Sequence, residues 1–257
     1  MGLQIRLYAN DRSSAGKDPD ARAWSDFDYG AKVSMTMPKT LTPAVEKQIT
    51  EDWRREIPTL GVYEPRWLMR RAGPLLVGIC LDRDSGGDRY KPTFHVHCLG
   101  REFPCVSLTL DTQLRSERSG GPDFIEVRWH EQKYREAAAR MVRQSLLPLE
   151  GDLRLGQVID AYRRHMVTPL AKRQPVLLYR DMFILLAWAG DPAGAADLLA
   201  ECLPLADTAG FQHVGGRMAF EAEARRLIAQ PSLINETVAV QIIALGVGQL
   251  PVSELLR

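Results

Sequence analysis

In this 257-residue chain, the residues whose type and spacing come nearest to a chemistry are His95 and His97. Side chains two positions apart on a strand project from the same face. Two imidazoles so placed can supply two ligands to a metal ion. A complete site needs at least one more ligand. His130, His165, His213 and the carboxylates are available, but none is fixed by spacing. The competing account is simpler: two histidines on the polar or semi-exposed face of a sheet. A second acidic motif, Asp82, Asp84 and Asp88 in DRDSGGD, resembles a calcium loop only loosely. Gly86 occupies its third acidic position, and Thr93 stands where a bidentate Glu belongs. A hairpin turn accounts for the same residues.

Other chemistries lack their local signatures. There is no G-x-S-x-G elbow, no P-loop and no G-x-G-x-x-G after a strand, and His130-Glu131 lacks the second His of H-E-x-x-H. No cofactor is expected. Trp24, Phe27 and Tyr29 lie among Asp18, Asp20, Asp26 and Asp28 in a polar stretch. Aromatics interleaved with acids on a loop suit a protein-binding surface; the plainer account is that they tuck the loop onto a sheet.

The elements that must position these residues follow from period and punctuation. Leu75 to Leu81 is a continuous apolar run, Thr93 to Leu99 alternates, and Val106, Leu108 and Leu110 alternate again. This predicts a β-meander with one apolar face, covered by downstream helices. Leu3 to Leu7 and Ala31 to Met37 predict two earlier strands, and Phe124 to Trp129 a later one. Thr42-Pro43 opens a helix with Val45, Ile49 and Trp53 on one face. Tyr63 to Ala72 reads as a short helix with Trp67 and Leu68 inward. From His130 onward the period is helical, with the run MFILLAWA apolar nearly all round. The fold class expected is α+β. A mostly antiparallel sheet with one or two helices spans residues 1–130, and a helical region spans 131–257, with no strand beyond residue 150 entering the sheet.

The net charge of +1, from 33 basic and 32 acidic residues, argues against general phosphate-backbone binding, so no nucleic acid partner is expected. Cys80, Cys98, Cys105 and Cys202 show no C-x-x-C spacing and read as reduced core residues. No secretory signal and no membrane-length apolar run are visible, so the expectation is a cytoplasmic protein without membrane contact. Together these features point to a non-enzymatic, bacterial-type protein that binds another protein, such as a toxin-neutralising immunity protein or an accessory subunit. A metal-dependent enzyme using His95 and His97 is the alternative, and a helical scaffold docking a partner a third reading.

Overall fold

The structure, a computed structural model, describes residues 40–168, 175–205 and 215–257. The strands expected at Leu3 to Leu7 and Ala31 to Met37, the loop with Trp24, Phe27 and Tyr29, and His213 lie outside the described residues. Helix α1 (Pro43–Glu56) begins as its sequence requires. Thr42 accepts a hydrogen bond from the Val45 amide, and Pro43 occupies the first turn. Four antiparallel strands follow, β1 (Gly61–Glu64), β2 (Trp67–Ala72), β3 (Leu75–Arg83) and β4 (Arg89–Cys98). Next come β5 (Leu110–Gln113) and the two-residue β6 (Ile125–Glu126), both paired with β4. The DRDSGGD segment makes the β3–β4 turn, with Arg89 bonded to Asp84 at 2.7 Å.

The rest is largely helical: α2 (His130–Gln144), α3 (Leu155–Met166), α4 (Pro175–Trp188), α5 (Pro192–Cys202), α6 (Arg217–Ala229) and α7 (Ser232–Ala244). The fold is therefore α+β, with an antiparallel sheet first and helices after. Helix α4 is the apolar run, and eight of its residues, Phe183 and Leu185 among them, are buried. Asp191 caps α5 by accepting the Gly194 amide at 2.9 Å. Among the described residues no single helix is long and apolar enough to cross a membrane.

Several expectations are corrected. Tyr63 to Ala72 is a hairpin, not a helix, because Leu68, Arg70 and Ala72 alternate with Trp67, Met69 and Arg71. Its turn carries Arg66 at φ 73°. Arg70 misleads the period count: it is buried, and its guanidinium donates to the carbonyls of Pro148 and Gly151. The strand expected from Val106 starts only at Leu110. Ile125 and Glu126 alone are strand in Phe124 to Trp129, and a 3₁₀ turn follows at Val127–Trp129. The chain also returns to its sheet beyond residue 150. Strand β8 (Val252–Ser253) pairs parallel with β2, Arg71 opposite Val252. Strands β7 (Leu153–Arg154) and β9 (Leu255–Leu256) form a separate parallel pair. The sharp division between sheet and helical halves fails at this point.

The meander has two covered faces, not one. Leu75, Val77, Ile79, Phe94, Val96 and Cys98 join the main core with residues of the helices. On the opposite face Met69, Leu76 and Leu99 pack with Leu245, Val247 and Leu250, the segment after α7. Cys80, Cys98 and Cys202 are buried, whereas Cys105 is exposed, because residues 101–109 loop out instead of forming a strand.

Candidate functional site

Strand β4 carries His95 and His97 on the second face of the sheet, as alternation requires. His95 stands opposite Gly78 and Asp111, and His97 opposite Leu76. Neither ring is on a polar or semi-exposed surface: both are fully buried. Burial lowers the pKa of His95 to about 3. Burial, then Arg101, then His95 lowers that of His97 to about 3. Both imidazoles are neutral at pH 7.

The proton on His97 can be placed by its partners. The Ser107 amide donates to His97 Nδ1 at 3.0 Å, and the Ser107 hydroxyl lies 2.9 Å from the same nitrogen. A backbone N–H can only donate, so Nδ1 offers its lone pair and the ring proton sits on Nε2. Among the described residues Nε2 has no hydrogen-bond partner. What His97 presents to its surroundings is thus an N–H, not a lone pair, and in this arrangement it does not ligate a metal. His95 has no hydrogen-bond partner at either ring nitrogen among the described residues. Its ring meets Trp67 edge-to-face at 5.0 Å. Among the described residues no group of three His, Cys, Asp or Glu is placed to hold a metal ion.

Around His97 lies a polar network that the sequence reading did not find. Arg101 donates to Asp181 at 2.9 Å and to Thr109 at 2.8 Å, and also to Ser107. Tyr162 of α3 donates to the other oxygen of Asp181 at 3.1 Å. Burial pushes the Asp181 carboxyl up, with Arg101 and Tyr162 pulling it back. The guanidinium and carboxyl groups are both inaccessible to solvent. A signal for this pair existed: Asp181 is the acid inside the apolar α4, and a buried acid requires a cationic or donor partner.

A second chain runs through the main core. Trp53 Nε1 donates to the Tyr90 hydroxyl at 3.0 Å, which lies 2.8 Å from His130 Nδ1. His130 Nε2 lies 3.0 Å from Asp52 Oδ2, and Asp52 also meets Arg55. The Asp52 carboxylate can only accept, so Nε2–H donates to it; the neutral ring then offers its Nδ1 lone pair, and Tyr90, which accepts from Trp53, gives its own proton to Nδ1. Burial lowers the pKa of His130, with Asp52 opposing. These residues tie α1, β4 and α2 together. His165 reaches Asp111 at 3.5 Å, and burial raises the Asp111 pKa to about 6. A groove lined by Leu199, Leu203, Arg225 and Ile228 lies between α5 and α6 and touches none of these groups.

On the outside, α7 is unusual in orientation. It turns Gln241 inward, where Oε1 accepts the Phe103 amide at 3.3 Å. It turns Val240 and Ile243 outward, 57% and 81% exposed. Ala239 and Ala244 flank them, also exposed, and Glu236 is the helix's only charge. Comparison with protein-family models, with curated proteins and with solved structures finds no match for the chain.

Proposed function

We propose that this chain works by binding another protein, and that the outward face of α7 is where it does so. The observation that supports this reading is the exposed, uncharged strip of Ala239, Val240, Ile243 and Ala244 on a helix whose amide side chain, Gln241, is turned inward. Large exposed aliphatics adjoining on one surface mark interaction sites more than scattered single ones do. Glu236 stands one turn before Val240 on the same exposed face, so the expected partner is an apolar helix face or groove with a polar or basic edge. The buried histidines fit the same reading. His130 is fully engaged in the core, and His97 presents no lone pair. A toxin-neutralising immunity protein or an accessory subunit works by contacts of this kind. Trp24, Phe27 and Tyr29 remain a second proposed contact, outside the described residues.

The test compares the wild-type chain with the double substitution Val240→Glu, Ile243→Glu. Each is isolated from its native host and analysed by size exclusion with light scattering, followed by mass spectrometry. The wild type is expected in a stoichiometric complex that the double variant loses. Surface changes of this kind shift stability by only about 0.5 kcal/mol each, so unfolding curves separate lost binding from lost fold. A wild-type chain that runs as a lone monomer, or a complex that survives both substitutions, overturns the proposal.

A further inference from the structure

The irregular segment between β4 and β5 lies against the second face of the sheet and is held there at a few named points. Arg101 fixes its root through Asp181. The Ser107 amide is held by His97 Nδ1 at 3.0 Å, and the Thr109 amide by the Val96 carbonyl at 3.1 Å. The Phe103 amide reaches Gln241 of α7, and the Phe103 ring sits 6.5 Å from the His97 ring. Between these points Glu102, Pro104 and Cys105 are exposed. The segment therefore lies over His97 as a strap, and its middle is attached through a titratable side chain.

We propose that residues 102–108 form an acid-released strap: a proton taken up at His97 Nδ1 breaks the bond to the Ser107 amide and frees the segment from the sheet. The geometry disfavours the closed form for the protonated ring: the one acceptor near Nδ1, the Ser107 hydroxyl at 2.9 Å, already takes Arg101, and the Ser107 amide loses its own acceptor. With a proton on Nδ1, two N–H groups face each other at 3.0 Å, and an obligatory backbone donor is left without an acceptor. The new cation also stands beside Arg101, whose guanidinium is anchored and cannot withdraw.

The groups around His97 do not rescue the charge. On its own strand the titratable neighbour is His95, itself buried. From the strap comes Arg101, of like sign. From α4 comes Asp181, already bonded to Arg101 and to Tyr162 of α3. Helix α7 offers Gln241, which is uncharged. Arg71, two strands away on the same face, donates to the Gly248 carbonyl. The proton is thus resisted in the closed form, where burial holds the ring neutral down to about 3. In the open form the ring is solvated and titrates near its ordinary ~6.5. A folded-state value below the ordinary one means the closed form is favoured above about pH 6.5 and loses ground tenfold per pH unit below it.

Hydrogen exchange of the full-length protein, corrected for intrinsic rates, tests this at pH 7.5 and 5.0. Protection of a peptide spanning residues 100–109 is expected to fall by about 30-fold, the factor for one imidazole freed at pH 5.0. The peptide covering β3, which opens only with the whole fold, is expected to stay better protected than the strap at both pH values. His97→Gln still offers an oxygen to the Ser107 amide but does not titrate, so it is expected to abolish the pH effect. Should that variant fold poorly, ¹⁵N shifts of the wild-type ring decide the matter. At pH 7.5 the His97 tautomer must be Nε2–H, and the Ser107 amide resonance must change together with ring protonation. Unchanged strap protection, strap protection no lower than that of β3 at pH 5.0, the same pH effect in His97→Gln, or an Nδ1–H tautomer each overturn the proposal.

Discussion

Replacing Tyr90 by Phe tests the direction of the hydrogen-bond chain in the main core. The hydroxyl is the only atom lost, so the ring packing against Trp53 and His130 survives. Two buried groups lose their partner: the Trp53 indole N–H, at 3.0 Å, and His130 Nδ1, at 2.8 Å. An orphaned buried donor or acceptor costs about 1–3 kcal/mol, so the substitution is expected to destabilise by about 3–4 kcal/mol. Asp52→Asn provides the contrast. If His130 is neutral with its proton on Nε2, an Asn oxygen accepts that proton as Asp52 does. The loss is then about 1 kcal/mol or less, because the Arg55 contact is a partly exposed one. If His130 were instead a buried imidazolium balanced by Asp52, removing the counter-charge would cost about 3–5 kcal/mol. Urea unfolding at pH 7.5, followed by tryptophan fluorescence and circular dichroism, gives both values. Tyr90→Phe costing much more than Asp52→Asn is the expected order. The reverse order would refute the neutral, one-directional chain.

The buried Arg101–Asp181 pair predicts strong non-additivity: Asp181→Leu alone should cost about 3–5 kcal/mol by stranding a guanidinium, and Arg101→Met with Asp181→Leu should cost less than that single change. Additive losses in urea unfolding would count against the pair. His95 has a folded-state pKa of about 3, below its ordinary ~6.5, so its contribution is present above pH 6.5 and is lost as pH falls toward 3. Between pH 7.5 and 5.0 the wild type should lose about 2 kcal/mol more than His95→Gln. The opposite effect of Asp111, whose carboxyl is raised to about 6, is common to both proteins and cancels in that comparison. A thiol reagent should label native protein rapidly at Cys105 alone, and Cys80, Cys98 and Cys202 only in denaturant. Rapid native labelling that persists in Cys105→Ser would refute the burial of the other three.

Local rules found the parts of the fold that local rules build. Thr42-Pro43 announced α1 because a cap is a bond between near neighbours. The alternation of Thr93 to Leu99 placed His95 and His97 on one face for the same reason. Where the reading failed, a distant partner had changed the meaning of a residue. Tyr63 to Ala72 looked helical because the acceptors that bury Arg70, the carbonyls of Pro148 and Gly151, lie about 80 positions away in sequence. The histidines looked semi-exposed because the segments that cover their face, residues 101–109 and the stretch after α7, carry no mark of that role. Tyr90, His130 and Asp52 could not be joined from sequence, since separations of 40 and 78 residues leave no spacing to read. Asp181 was the exception: an acid in an apolar helix asks for its partner aloud, although it does not name Arg101.

Helix α7 shows why composition and fold can disagree without either being at fault. Its rotation about its own axis is fixed at several points. Ile234 packs over Gly100 beside Ile184, Asn235 accepts the Trp188 indole N–H at 2.9 Å, and Gln241 accepts the Phe103 amide. At 3.6 residues per turn, Ile234 and Gln241 share a face, while Ile243, nine residues after Ile234, lies about 180° from it. One layer of protein therefore cannot cover both isoleucines: Ile234 is fully buried and Ile243 is 81% exposed. Rotating the helix to bury Ile243 would uncover Ile234 and strand the Phe103 amide, so the described residues offer no remedy. Burying a side chain of this kind is worth about 1.5–3 kcal/mol, and Val240 beside it adds a similar term. That unclaimed free energy is available only to a surface brought from outside the described residues, which is why the binding proposal rests on α7 and not on the histidines.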